Sequence, residues 1–178
     1  HAEACSITGE VKAESQFEGL DDLRRNGLPP SETIRLGAFD SHVKFQTSRL
    51  YIITGLPGTG KSTFADFLAV KLLKESRWKC SIFSPEKFPL KLHYMELAEK
   101  ILGRKLNDRK LSDMEFEQCK EYMNRNIFHI SAEGNTDIVS LLHTARQQIL
   151  AYGVKLLVLD PFNYIDLGSD SGMTDTQK

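Results

Sequence analysis

The sequence predicts an α/β fold in which a mainly parallel β-sheet carries helices on both faces. Two observations support this prediction. The apolar residues 50–53 predict a strand that leads directly into a glycine-rich turn and then into a helical pattern. Residues 156–159 are apolar at every position and end on Asp160. A strand without alternation is typical of a central strand in a parallel sheet that helices cover on both sides, and we predict that position for this strand.

The glycine-rich turn follows the pattern G-x-x-x-x-G-K-[ST] from Gly55 to Ser62. Glycines permit backbone angles and close approaches that a Cβ would block, so several N–H groups can converge on one phosphate. Lys61 adds a positive charge, and the Ser62 hydroxyl is placed to hold a Mg²⁺ that bridges the phosphates. We call residues 55–63 the cradle and predict that it binds ATP or another nucleoside triphosphate through Gly55, Gly58, Thr59, Gly60, Lys61, Ser62 and Thr63.

Size and composition are those of one enzyme domain. The 178 residues suffice for a substantial core, and a net charge of -1 gives no general attraction for nucleic acid. Cys5, Cys80 and Cys119 are too far apart for a zinc knuckle or a disulfide framework, so reduced thiols are expected. There is no run of eighteen apolar residues and no signal-peptide pattern at the first residues, which favours a cytoplasmic location without membrane association.

The first 31 residues differ from the rest of the chain in their hydrophobic pattern. Residues 1–14 lack periodicity, and we expect a disordered tail. Phe17, Leu20 and Leu23 share one face of a short amphipathic helix, which packs either on its own domain or on a neighbouring subunit as a linker. Residues 1–31 are therefore predicted to be a tail and linker helix, and residues 32–178 an ATPase domain.

Hydrophobic periodicity, capping residues and glycine or proline stops predict the remaining elements. They are a strand or extended loop at 34–47, a helix at 62–75, a strand at 79–84, a helix at 89–102, a helix with a capping box at Ser112 and Glu115, a strand at 127–130, a helix from about 136 to Gly153, and a strand at 154–160.

Two of the predicted strands end close to a carboxylate. Glu86 follows the strand at 79–84, and Asp160 ends the strand at 154–160. In open α/β sheets, ligands bind at the edge where the carboxyl ends of the strands lie. A buried acid needs a partner, and Mg²⁺ on the nucleotide suits Asp160. Glu86 is the candidate that polarises an attacking water, although an ordinary surface glutamate in a turn is at least as frequent at such a position. Lys61, Glu86 and Asp160 are thus the predicted catalytic residues of a P-loop NTPase.

These motifs, in this order, resemble the RecA-type ATPase domain of the DnaB-family replicative helicases, with their Twinkle-like and phage primase-helicase-like branches. The matching parts are the cradle, residues 83–86 and residues 160–163. The resemblance implies a RecA-like fold in which Glu86 is the catalytic base and Asp160 coordinates magnesium through water. Many family members have a glutamine three residues after that aspartate, where this chain has Asn163.

The resemblance also implies partners and missing parts. Members continue with two further core strands, DNA-binding loops and an arginine finger that reaches the neighbouring site. This chain ends at Lys178, and residues 167–178 resemble the start of a DNA-binding loop. We therefore expect a partial motor domain that lacks the C-terminal strands. An arginine finger typically raises turnover by on the order of 10³- to 10⁵-fold, so we expect the chain to be nearly inactive alone. The full-length protein is expected to act on single-stranded DNA in replication as a homo-hexamer.

Two other functions remain open. A small-molecule or nucleotide kinase uses a similar cradle, but it needs an acceptor pocket and usually an arginine-bearing lid after the later strand. No arginine follows Asp160, and earlier arginines such as Arg104, Arg109, Arg125 and Arg146 would have to serve. A nucleotide-gated binding or assembly module is the third interpretation.

Overall fold

A computed structural model of the chain describes residues 18–27, 30–87, 89–131 and 137–165. The chain forms two compact units, residues 1–31 and residues 32–178. No described helix has both the length and the apolar character that crossing a membrane requires. The predicted tail at 1–14 and the loop-like residues 167–178 lie outside the described residues.

The described part of the first unit is helix α1, Glu18–Asn26. It ends where the Gly27 N–H bonds to the Leu23 carbonyl at 2.9 Å, with Gly27 at a φ of 74° that favours glycine. The predicted helix and its glycine stop are confirmed over these residues.

The second unit is built on a parallel three-stranded sheet in the order β2-β1-β3. The strands are β1, Lys79–Phe83, β2, Ile127–His129, and β3, Val154–Leu159. The register pairs Cys80 with Ile127 on one side and Phe83 with Leu159 on the other. All three carboxyl ends therefore meet at one edge of the sheet.

Five helices of this unit are described, with the bounds α2, Phe39–His42, α3, Lys61–Ser76, α4, Leu90–Leu102, α5, Asp113–Asn126, and α6, Ile138–Tyr152. The capping box of α5 is confirmed, since Ser112 and Glu115 bond to each other's backbone N–H. Asp137 caps α6 by accepting from the Ser140 N–H, and Gly103 and Gly153 end α4 and α6 in the left-handed conformation.

Helices cover both faces of the sheet, as predicted. On one face, Cys80 and Ile82 of β1 pack against Val70 and Leu73 of α3 and Leu97 of α4. On the other, a second cluster joins β1 and β3 to α6, through the side chains Phe83, Leu141, Ala145, Leu157 and Leu159. The alternation of β1 between the two clusters explains why that strand is buried along nearly its whole length.

The cysteines of the described residues fit the prediction of reduced thiols. Cys80 and Cys119 are both free and buried. Burial raises the pKa of the Cys80 thiol to about 12, with Asp66 adding to the effect, so this thiol stays protonated.

The strand predicted before the cradle was wrong. Residues 49–56 form no regular element, and Leu50 and Ile52 are 85% and 77% exposed. The physical reason lies in Tyr51, whose hydroxyl donates to the Lys44 carbonyl and accepts from the Gln46 N–H, each at 2.9 Å. These bonds hold the segment against residues 44–46 instead of against a strand.

Two further expectations are corrected by the same packing. Because residues 49–56 do not pair with it, β3 is an edge strand of the described sheet and not the central strand, which is β1. Residues 34–47 contain the short helix α2 in place of a strand or a wholly extended loop. Asp40 stabilises the turn before α2 by accepting from the N–H groups of Ile34 and Leu36 at 3.0 and 2.7 Å.

Candidate functional site

The cradle backbone leads into the N-terminus of α3 through glycines in the left-handed region. Gly58 has a φ of 74° and Gly60, the residue that caps α3, has a φ of 84°. No side chain caps this end of α3, and its first turn contains no acidic residue. The first N–H groups of α3 and the positive end of its dipole are therefore left to an external anion, as a phosphate site requires.

Two cradle side chains bond to one carbonyl of the turn. The Lys61 Nζ donates to the Leu56 carbonyl at 2.7 Å, and the Thr59 hydroxyl donates to the same oxygen at 2.8 Å. Lys61 is thereby folded over the turn, with its ammonium beside the glycine-rich backbone. A Cβ at Gly55 would approach the Thr59 hydroxyl to 3.3 Å, so this turn has little room for a larger residue there.

Ser62 and Asp160 meet although 98 positions separate them in the chain. The Ser62 hydroxyl donates to Asp160 Oδ1 at 3.0 Å, and both residues are half-buried. The Asp160 N–H bonds to the Phe83 carbonyl at 2.9 Å, which fixes this residue beside the end of β1. The contact therefore joins the start of α3 to the sheet edge.

This pair fits the coordination chemistry of Mg²⁺. A hydroxyl and a carboxylate are hard oxygen donors, and the hydroxyl can keep its hydrogen on Asp160 while its lone pair faces a cation. Within the described residues, no group of three or more His, Cys, Asp or Glu side chains could hold a metal ion. Mg²⁺ with a nucleotide needs no such cage, because it uses one or two protein oxygens together with phosphates and waters.

Glu86 lies at the same sheet edge but is not joined to the cradle by a described contact. It sits in a turn that follows β1, closed by the Lys87 N–H bonding to the Ser84 carbonyl at 3.2 Å. Its side chain is exposed. The register pairs Phe83 with Leu159, and the Asp160 N–H bonds to the Phe83 carbonyl. Glu86 lies three residues after Phe83 in the chain.

Beside this turn lies a buried polar cluster that the sequence reasoning missed. Asp66 of α3 is 2% exposed and bonds to Lys87 Nζ at 2.5 Å and to His93 Nε2 at 3.1 Å. Lys100 Nζ approaches the same carboxylate at 3.7 Å. The available signal was an aspartate within an apolar stretch of α3, one helical turn after Ser62, because a buried acid at such a place needs cationic partners.

The cluster keeps Asp66 charged and His129 neutral. Burial raises the pKa of Asp66, but hydrogen bonds from His93 and Lys87 outweigh it and hold the pKa below its ordinary value. His129, at the end of β2, lies with its Nε2 at 3.4 Å from His93 Nδ1. Burial and the neighbouring His93 lower the pKa of His129 to about 4. His129 is thus a packed residue of β2.

A cavity of about 750 Å³ separates residues 45–53 from the edge of β3. Its walls are mainly apolar, and Lys61 and Asp160 lie among the residues that line it. It occupies the side of β3 on which a further strand would extend the sheet. The cavity thus lies where residues 49–56 leave the edge of β3 unpaired.

Asn163 lies in a short 3₁₀ helix, Phe162–Tyr164, directly after Asp160, and its side chain is exposed. The Asn163 side chain, which is shorter than the glutamine of many family members, is therefore accessible to solvent at the sheet edge.

Comparison with known proteins gives a consistent result. Residues 16–178 match the family of DnaB-like helicase C-terminal domains. The chain is similar to the Twinkle homolog protein, chloroplastic/mitochondrial, of Arabidopsis thaliana, with 28% identity over 187 positions. The match covers 99% of this chain but 26% of that protein, so the chain spans only part of the length of this relative. No solved structure matches the chain.

Proposed function

We propose that this chain, which belongs to the DnaB-like helicase C-terminal domain family, is the nucleotide-hydrolysing motor domain of a replicative DNA helicase. The observation that supports this most strongly is the 3.0 Å contact between Ser62 and Asp160 at the start of α3. It joins the cradle to the acidic end of β3, which is the arrangement that a triphosphate with its metal requires.

Each residue would have one task in hydrolysis. The cradle N–H groups and Lys61 bind the β- and γ-phosphates, with Lys61 exchanging the Leu56 carbonyl for a phosphate oxygen. Ser62 and Asp160 would hold Mg²⁺, which supplies positive charge against the charge that develops on the phosphate oxygens. Glu86 accepts the proton of the attacking water. Lys61 and Asp160 thus act by positioning and electrostatics and Glu86 by proton transfer, without a covalent intermediate on the protein.

The proposal extends to the full-length protein. We propose that it translocates on single-stranded DNA during replication as a homo-hexamer, with ATP or another nucleoside triphosphate as fuel. Assembly would supply an arginine finger from a neighbouring subunit, so the chain alone should bind nucleotide and hydrolyse it slowly. Our expectation of a cytoplasmic location differs from the name of the Arabidopsis relative, which is chloroplastic/mitochondrial. Imaging of the tagged full-length protein decides between these compartments.

The experiment measures phosphate release by the full-length protein with and without single-stranded DNA. We expect stimulation by DNA, and we expect Glu86→Gln to lower turnover by roughly 10²-fold or more while nucleotide affinity stays nearly unchanged. Glu117→Gln is the matched control, because Glu117 is an exposed residue of α5 that pairs with Lys120.

The alternatives predict other outcomes in the same assay. Transfer of phosphate to a small acceptor, without DNA stimulation, would identify a kinase. Nucleotide binding without turnover in the assembled protein would identify a binding or assembly module. Normal turnover by Glu86→Gln would remove this glutamate from the catalytic set.

A further inference from the structure

The turn that contains Glu86 is attached to the cradle helix by a buried ion pair. Lys87 follows Glu86 directly, and its Nζ bonds to Asp66 Oδ2 at 2.5 Å. The Lys87 side chain is only 15% exposed, which is uncommon for a lysine. Asp66 lies four residues after Ser62 on α3, so the two side chains lie on the same face of this helix, one turn apart.

The rest of the cluster makes this attachment rigid. His93 of α4 is fully buried and reaches Asp66 Oδ1, so both carboxylate oxygens have a partner. Because a carboxylate only accepts, the His93 Nε2 donates to it. His129 at the end of β2 lies against the other side of the His93 ring, with ring centroids 5.3 Å apart. Asp66 thus joins α3 to the Glu86 turn and to α4, and His93 extends the cluster to β2.

Both ends of the Glu86 turn are therefore fixed. Ser84 continues β1, and its carbonyl accepts the Lys87 N–H at 3.2 Å. Lys87 is held to α3 through its side chain. An exposed glutamate in an otherwise free turn would sample many positions, at a cost in entropy when it must act in one of them. A lysine held at the next position removes most of that freedom from the backbone.

We infer that the ion pair between Lys87 and Asp66 is a positioning device for Glu86, which ties the turn of this glutamate to the helix that begins at the cradle. This inference rests on the proposed function, because it takes Glu86 as the residue that acts on the water. Lys87 and Asp66 are positioning residues. They act through Glu86, and they do not themselves touch the nucleotide.

The test uses the full-length protein and the variant Lys87→Met, which keeps the length of the side chain and removes its charge. We expect kcat to fall by roughly 10²-fold, because a displacement of about 1 Å at a catalytic group has effects of this size. The dissociation constant for ATP should change by less than about threefold, since Lys61 and the cradle are untouched.

A control must separate positioning from stability, because Lys87→Met leaves Asp66 buried without its closest cation. The double variant Asp66→Asn/Lys87→Met replaces the charged pair by a neutral pair of similar volume. We expect it to recover the thermal unfolding midpoint without recovering kcat. Lys100→Met is the matched control, since Lys100 approaches the same carboxylate at 3.7 Å but lies outside the Glu86 turn. Its kcat should stay within about twofold of the unchanged protein.

A double-mutant cycle with Glu86→Gln gives the decisive readout. If Lys87 acts through Glu86, Lys87→Met should change single-turnover hydrolysis by less than about twofold in the Glu86→Gln protein. Equal losses in both backgrounds, or recovery of kcat in the double variant with Asp66→Asn, would overturn the inference and show a merely structural pair. Normal kcat in Lys87→Met together with a defective Glu86→Gln overturns the inference alone. Normal turnover by Glu86→Gln removes this glutamate from the catalytic set and overturns the inference, whereas loss of DNA stimulation in the unchanged protein overturns the proposed function.

Discussion

At the scale of single residues, the candidate site consists of a few polar side chains that lie at the edge of an apolar sheet. The Ser62 hydroxyl and the Asp160 carboxylate lie 3.0 Å apart, and Lys61, the residue before Ser62, adds a positive charge over the cradle turn. Each is modest alone. Together they offer a triphosphate and its metal two hard oxygens, one ammonium and the N–H groups of a helix start.

The role of the Ser62 hydroxyl can be tested by metal dependence. In Ser62→Ala, we expect the affinity for ATP with Mg²⁺ to fall by roughly 10- to 100-fold, because one metal ligand and its bond to Asp160 are lost. Binding of ATP in the presence of a chelator should change much less. Ser62→Thr keeps the hydroxyl and should bind as the unchanged chain does in calorimetric titration. An unaltered Mg²⁺ dependence in Ser62→Ala would contradict the assignment.

At the scale of elements, α3 organises the second unit, since Lys61, Ser62 and Asp66 all belong to it. The helices and strands after the cradle could be predicted because their signals are local. Capping by Ser112 and Asp137 and the glycine stops at Gly103 and Gly153 depend on neighbours in the chain. Such signals can be recognised in the sequence without knowledge of the tertiary contacts.

The features that sequence reasoning missed depend on contacts between distant residues. The residues before the cradle have the composition of a buried strand, yet the hydroxyl bonds of Tyr51 to residues 44–46 hold them away from the sheet. The Asp66 cluster joins α3, the Glu86 turn, α4 and β2, which are scattered along the sequence. No periodicity shows which lysine and which histidine will meet a buried acid.

The buried cluster should make the stability of the fold depend on pH. The pKa of His129 is lowered to about 4, so the folded state resists its protonation while the unfolded state accepts a proton near the ordinary value of 6.5. Its contribution to the free energy of unfolding is complete above about pH 6.5 and is lost as the pH falls towards 4. We expect the loss to be at most about 2 kcal/mol, after allowing for the solvent that reaches this side chain.

Denaturant unfolding of the unchanged chain and of His129→Gln, at several values of pH, measures this loss. The variant should show a smaller fall in stability between pH 6.5 and 4, because it has no imidazole to protonate. The exposed His143 is the control, and His143→Gln should keep the full dependence. Identical curves for His129→Gln and the unchanged chain would show that this histidine does not contribute.

At the scale of the whole molecule, the fold brings together residues that the sequence keeps far apart. Parallel strands align the residues after β1 and β3 at one edge, and the helix that follows the cradle points its N-terminus at that edge. Because the chain spans 26% of its Arabidopsis relative, DNA engagement and ring assembly belong to tests on the full-length protein. The proposed nucleotide binding, in contrast, can be tested on this chain, because the proposed site residues all belong to it.

The central claim, that this edge binds a nucleoside triphosphate, is tested most directly by calorimetric titration of ATP with Mg²⁺ into the chain and into Lys61→Ala. We expect the substitution to weaken binding by roughly 10²-fold or more, because a charge-assisted bond to the phosphates is lost from a site built on them. Lys71→Ala, on the same helix but paired with Glu75, should bind as the unchanged chain does. Equal affinity of the unchanged chain and Lys61→Ala would contradict the claim.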